Sequence, residues 1–303
     1  MSATVDPATV DPATDDPAAR PEVQSFFDPA TNTISHVVRD PGSNACAVVD
    51  SVMDIDYAAG RITYDHADEI IAFIKARGLQ LDWLIETHVH ADHLSAAPYI
   101  QARLGGRIGI GQAITLVQET FGKVFNEGTE FQRDGSQFDR LFSDGDTYQV
   151  GGMTCLALQT PGHTPACMTH LMGDAAFVGD TLFMPDGGSA RADFPGGDAG
   201  QLYDSIQRVL ALPDATRLFM CHDYGPNGRE IRWETTVAEE RAHNIHIHGK
   251  SRDEFIALRT ARDATLDMPK LIIPALQVNM RGGDLPPADE DGKRFLKVPI
   301  NGL

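Results

Sequence analysis

The chain has 303 residues, with 25 Lys and Arg against 43 Asp and Glu, a formal charge of −18. A surface this acidic disfavours partners that recruit cations, namely nucleic-acid phosphates and anionic membrane faces. With 42% apolar and 22% charged residues, the composition is that of a globular protein able to bury a core without disulfides or metal staples.

Taken in chain order, the first feature is a repeat. The pentad Val-Asp-Pro-Ala-Thr stands at Val5–Thr9 and again at Val10–Thr14. Proline every five residues interrupts both helix and strand, and Val is the only sizeable apolar side chain available to bury. Residues 1–21 are therefore expected to be a disordered acidic tail. Its four Asp and one Arg carry −3, which leaves about −15 on the folded part.

Order is expected from about Val23–Phe27 onward. Thr33–Arg39 and Ala45–Asp50 read as strands flanking the turn-former Asp40-Pro41-Gly42-Ser43-Asn44. Ile70, Ile71 and Ile74 have helical spacing, so Ala67–Arg77 is expected to be an amphipathic helix ending at Gly78. Leu81–Glu86 is a short apolar strand running into Thr87-His88, and a helix is expected at Ser95–Leu104 before Gly105-Gly106. The middle is strand-rich: Ile108–Ile110, Asp146–Val150, Met153–Gln159, Cys167–Leu171 and Ala175–Gly179, with Gly151-Gly152 as a hairpin turn. Gln201–Leu210 reads as a helix, Arg217–Cys221 as a strand, and Trp233–His243 and Asp253–Arg262 as helices. Two sheets with helices on their outer faces satisfy this order, an α/β layered architecture. Residues 22–250 are expected to form the catalytic domain, with 251–303 an extension packed on it.

Cys46, Cys155, Cys167 and Cys221 are widely spaced and include no Cys-x-x-Cys pair, so neither a disulfide framework nor a zinc ribbon is expected. No apolar run reaches the roughly 18 residues that span a bilayer, and the start lacks a signal-peptide pattern. A cytoplasmic location is the expectation.

The chemistry concentrates in Thr87-His88-Val89-His90-Ala91-Asp92-His93, where three imidazoles and a carboxylate fall within six residues at a strand end. These are ligand types for Zn, Fe and Mn. Further candidates sit where other predicted strands end: His163 after Gly162, Asp180 after Gly179, and His222 after Cys221. Loops gathered at one edge of a sheet are where site residues concentrate.

The motifs Thr-His-x-His-x-Asp-His, Thr-Pro-Gly-His-Thr at Thr160–Thr164, Gly-Asp-Thr-Leu-Phe at Gly179–Phe183 and Cys-His-Asp-Tyr at Cys221–Tyr224 together resemble the metallo-β-lactamase superfamily. The resemblance spans about residues 25–245 and implies an αββα sandwich with the metal site at one edge of two sheets. Within the superfamily, Ala190-Arg191-Ala192-Asp193-Phe194 is similar to the Gly-Arg-Thr-Asp-Phe segment of persulfide dioxygenases. Pro195-Gly196-Gly197-Asp198 and His222-Asp223-Tyr224-Gly225 are similar to the same group, and the extension resembles a bacterial subgroup of it. The chain departs from the mitochondrial type at Ser189, where that type has Cys, and at Ala190 and Ala192.

That resemblance implies one Fe(II) per chain held by His88, His163 and Asp180, with open positions for substrate and O2. His90, Asp92, His93, His222 and Asp50 are then orienting groups around it. In a dinuclear two-zinc hydrolase acting on a thioester or lactone, the alternative, the ligand inventory is the same. The implied reaction oxidises glutathione persulfide with O2 to sulfite and glutathione. Arg191 is a candidate partner for a glutathione carboxylate, and Tyr224 a candidate pocket wall. A homodimer without nucleic-acid or membrane partners is expected. His243, His246 and His248 read as a surface or interface cluster, and His36, His66 and His170 as structural.

Overall fold

A computed structural model describes residues 20–302, so the pentad repeat and nearly all of the expected tail lie outside the described residues. The first half of the chain runs β1 (Glu22–Asp28), β2 (Thr33–Arg39), β3 (Ala45–Val49), β4 (Val52–Asp56), β5 (Arg61–Thr63), α1 (Asp65–Ala76) and β6 (Gln80–Ile85). It continues through β7 (Leu94–Ser95), α2 (Ala97–Leu104), β8 (Arg107–Gly111), α3 (Ile114–Val124) and β9 (Arg140–Phe142). The second half comprises β10 (Thr147–Val150), β11 (Met153–Gln159), β12 (Met168–Met172), β13 (Ala175–Phe177), α4 (Ala199–Leu210) and β14 (Arg217–Phe219). Then follow β15 (Glu234–Thr236), α5 (Val237–His243), α6 (Arg252–Asp263) and α7 (Ile272–Asn279).

Two six-stranded sheets result, ordered β1-β2-β3-β6-β8-β9 and β10-β11-β12-β13-β14-β15, beside a small β5-β4-β7 sheet. Side-chain alternation explains the layering. In β3, Ala47 and Val49 face the second sheet, while Cys46 and Val48 face helices. Cys155 and Ala157 of β11 join the inter-sheet core, and Leu156 and Leu158 join the helical layer outside. Trp83, Phe142, Tyr148, Phe177 and Phe219 fill the space between the sheets. This is an αββα sandwich.

The segment after residue 250 divides between the two outer layers. Phe255 of α6 packs with Leu202 and Ile206 of α4, whereas Ala275, Leu276 and Val278 of α7 pack with the core over the first sheet. Pro21, assigned to the tail by composition, is buried, and its carbonyl accepts from Arg217 at 3.1 Å.

Two local expectations are corrected. Trp233–His243 is not one helix. Its first part is β15, where the β-branched Thr235 pairs with Leu218 of β14; Thr236 then caps α5 by accepting from Glu239 N at 3.2 Å. A helix not expected from the sequence, α3, buries Ile114, Val117, Gln118 and Phe121 along one stripe.

Trp83 is buried between the sheets and donates its Nε1–H to Gln149 O at 2.8 Å. Trp83→Ala is expected to lower the unfolding free energy, measured by urea titration, by about 3–5 kcal/mol. A loss well below that range would mean that the sheets close over the gap.

Candidate metal centre

The parallel strands β3 and β6 point their carboxyl ends to one edge of the sandwich. Asp50 follows β3 directly and adopts a left-handed backbone, φ 53°, a conformation Asp tolerates better than most residues. That turn aims its carboxylate at the segment after β6. Thr87 N donates to Asp50 Oδ1 at 2.8 Å, and Thr87 Oγ1 donates to Oδ2 at 2.9 Å. His90 Nε2 donates to Oδ1 at 3.0 Å. Burial pushes the Asp50 carboxyl up, but the charge and hydrogen bond of His90, with the two Thr87 bonds, outweigh it and hold the group below the usual carboxylate range.

Two of the chain turns that deliver candidate ligands from the second sheet depend on glycine. At Gly179 (φ 51°) a Cβ would stand 2.6 Å from Thr87 Oγ1, and at Gly162 (φ 135°) it would strike the Leu202 backbone. Gly179 thus lets Asp180 approach His88, and Gly162 lets His163 turn in over the start of α4.

Each imidazole is anchored at one nitrogen and bare at the other. Thr87 Oγ1 spends its proton on Asp50, so it accepts from His88 Nδ1–H at 3.0 Å. His163 Nδ1–H donates to Arg191 O at 2.7 Å. His222 Nδ1–H donates to Asn32 O at 3.3 Å, and His93 Nδ1 lies 3.2 Å from Thr33 Oγ1. That leaves His88 Nε2, His90 Nδ1, His93 Nε2 and His222 Nε2 buried without a hydrogen-bond partner, together with Asp180 Oδ1. Burial and the neighbouring imidazoles keep His88 well below its ordinary value, and hold His93 down at about 4. Both are therefore neutral bases with a lone pair to offer.

Those bare atoms converge. Asp180 Oδ2 lies 3.8 Å from His88 Nε2 and 3.6 Å from His163 Nε2, separations that suit ligands sharing one cation at about 2.0–2.2 Å. His88, His163 and Asp180 form one group whose ligand atoms lie within 4.8 Å of one another; His90, Asp92, His93 and His222 form another. His222 Nε2 adjoins both, 3.1 Å from Asp92 Oδ2 and 3.4 Å from Asp180 Oδ1. Orphaned buried nitrogens aimed at a carboxylate are costly unless a cation fills the gap, so the residues fit a metal.

The structure thus brings together Asp50, His88, His90, Asp92, His93, His163, Asp180 and His222. Arg191 is placed otherwise than a free carboxylate receptor: its guanidinium makes a bidentate pair with Asp193 at 2.6 and 2.7 Å and donates to Asp267 O at 2.8 Å. Its contribution to the centre is its own carbonyl, which orients His163. Tyr224 is exposed and lies against Phe183 and His222, with ring centroids 5.9 and 6.1 Å away. His246 is not a surface residue with His243 and His248; it accepts from Ser189 N at 3.0 Å and lines the cavity over the centre. Cys221 is a packed thiol, pushed well up by burial.

Sequence reasoning missed Glu86, Thr33 and Asn279. Glu86 is buried, accepts from Ser95 Oγ at 2.7 Å and lies 3.4 Å from His90 Nε2. Its position was the available signal: like Asp50, it is a carboxylate closing an apolar strand. The cavity in front of His163 and Asp180 measures about 980 Å³ and is walled by Met53, Phe183, Phe194, Tyr224 and the segment 262–271.

Comparison with known proteins agrees with this geometry. The model of the Metallo-beta-lactamase superfamily matches residues 30–222. A Burkholderia pseudomallei protein named "Probable metallo-hydrolase" is 56% identical over 292 residues, 93% of this chain and 99% of that one. A Beta-lactamase hydrolase-like protein of Xylella fastidiosa is 49% identical over 93% of this chain, which spans only 65% of that relative's length. The mitochondrial persulfide dioxygenase ETHE1 of Homo sapiens is 28% identical over 86% of this chain and 88% of its own. The crystal structure of ETHE1 from Myxococcus xanthus superposes with a TM-score of 0.69 at 30% identity, covering 87% of this chain and all of that one. With its sandwich, its edge-on cluster of imidazoles and carboxylates, and a family match across both, the chain belongs to the metallo-beta-lactamase superfamily.

Proposed function

We propose that the protein is a mononuclear iron dioxygenase that oxidises a thiol persulfide, with glutathione persulfide as the probe substrate. One observation carries this reading: His88, His163 and Asp180 make a two-His-one-carboxylate set beside a cavity of about 980 Å³. His90 has its Nε2 on Asp50 and near Glu86, which leaves only its Nδ1 toward the centre. The likeness to the ETHE1 proteins supports the same choice.

In this reading His88, His163 and Asp180 would hold the iron, which would bind and activate O2 while the persulfide sulfur supplies the electrons that reduce it. The chain's own residues do the rest. Thr87 and the Arg191 carbonyl fix the tautomers of His88 and His163 so that Nε2 of each faces inward. Phe183, Phe194 and Met53 line the apolar part of the cavity, where a persulfide sulfur is shielded from bulk water. Arg262 and Lys270 also line it, and among the described residues neither has a carboxylate at ion-pair distance, so both are available to an anionic carrier. The overall change balances as persulfide, O2 and water giving thiol, sulfite and two protons.

The second reading is a dinuclear zinc hydrolase of a thioester or lactone. The adjacent group of His90, Asp92, His93 and His222 favours it, as does the hydrolase name of the Burkholderia relative. Protein loaded anaerobically with Fe(II) is expected to consume O2 and release sulfite in equal amounts when given glutathione persulfide. Absence of O2 uptake, with thioester hydrolysis by the zinc-loaded protein, decides for the hydrolase.

His163→Ala is expected to abolish both iron retention and O2 uptake. His222→Ala is expected to keep much of the iron, measured as metal per chain after gel filtration. Equal loss in the two variants contradicts the mononuclear assignment.

A further inference from the structure

The geometry points to Asn279, in the C-terminal α7, as a positioning residue that sets the shape of the metal-binding loop. Its carboxamide is buried and spends every polar atom on three backbone groups of that loop. Oδ1 accepts from Ser95 N at 2.8 Å, and Nδ2 donates to His90 O at 2.9 Å and His93 O at 2.8 Å. Of residues 88–95, only Leu94 and Ser95 belong to a strand, so the carbonyls of His90 and His93 depend on a side chain for their partners. Those two residues bracket Asp92, and the three together carry most of the second ligand group.

The chemistry of the position is specific. One planar carboxamide presents two donors and an acceptor at once. A carboxylate of the same shape would keep the bond to Ser95 N but set negative charge against two carbonyl oxygens. Alanine would leave both carbonyls and the Ser95 amide buried and unpaired.

The anchor is itself held. Arg281, two residues on, pairs with Glu127 at 2.8 Å, and Gln118 Nε2 donates to Met280 O at 2.9 Å. These contacts fix the end of α7 against α3 and the segment following it. Through this side chain α7 grips the loop, bridging 189 residues of sequence to His90. This inference rests on the metal-centre geometry and is independent of which reaction the centre performs.

Co(II) binding tests it, read both as affinity by chelator competition and as the visible d–d spectrum, with the unfolding temperature of the metal-free protein measured alongside. Asn279→Ala is expected to weaken Co(II) binding by about 10–100-fold and to change the spectrum. Asn279→Asp is expected to be at least as weak, and it carries the test should Asn279→Ala fail to fold. Arg281→Met is the control: it loosens α7 without touching the loop, so it lowers the unfolding temperature and keeps the parent spectrum. Parent-like affinity and spectrum in Asn279→Ala or Asn279→Asp overturn the proposal. So does an equal change in Arg281→Met, because the effect then belongs to the docking of the helix. Loss of the dioxygenase reading in O2-uptake assays leaves these measurements unaffected.

Discussion

The buried carboxylate of Asp50 is the interaction on which the centre depends. It stands in the turn after β3 and receives the Thr87 amide, the Thr87 hydroxyl and His90 Nε2, so the ends of two neighbouring strands are tied through one side chain. Its backbone is pinned too: Asp50 N donates to Ile85 O at 2.9 Å, and Ser35 Oγ donates to Asp50 O at 2.6 Å. A buried charge is tolerable only when its hydrogen-bonding capacity is met, and removing one partner leaves a cost of several kcal/mol. The consequence runs outward. Because Thr87 Oγ1 gives its proton to Asp50, it must accept from His88, and His88 must offer its other nitrogen to the centre.

The same logic repeats around the site with different anchors. A backbone carbonyl orients His163, another orients His222, and Thr33 adjoins His93. Those anchors come from loops that other ion pairs hold in place. The loop after Ser189 is clamped by Arg259, which donates to Ser189 O at 3.0 Å and pairs with Asp263 at 2.7 Å. Asp263 also accepts from Ala192 N at 3.0 Å, one residue from the carbonyl that orients His163. The His222 loop is held by Arg229, paired with both Asp186 and Asp223. Both outer helical layers thus contribute to the centre, α6 through this clamp and α7 through Asn279.

The overall charge of −18 takes on structure in this light. Asp50, Asp92 and Asp180 belong to the centre, where protonated imidazole or a metal offsets them. Cationic groups lining the cavity divide into those already paired, Arg61, Arg191 and Arg259, and those with no carboxylate at ion-pair distance among the described residues, Arg262 and Lys270. In the proposed reaction that local arrangement would draw an anionic substrate against the field of the whole molecule.

Much of the fold and most of the clustered imidazoles and carboxylates were legible in the sequence, for local reasons. The period-two and helical patterns of apolar residues reflect which face each element buries, and His88, His90, Asp92 and His93 announce themselves by density within one loop. Where local pattern and tertiary pairing competed, pairing won: residues 234–236 became an edge strand because β14 offered an unpaired ladder. Glu86 was hidden by looking like a strand terminus. Arg191 reads in sequence as a free cation, but Asp193, only two residues away, pairs with its guanidinium.

What the sequence by itself determined is the inventory: the metal-binding residue types, their order, and the strand ends that carry them. Only the tertiary structure decided which nitrogen of each imidazole is free, which ligands group together, and that Asn279 grips the loop across 189 residues. The reason is physical. Side-chain periodicity is set by neighbours along the chain, whereas a tautomer or a buried hydrogen bond is set by whichever atoms folding brings within about 3 Å.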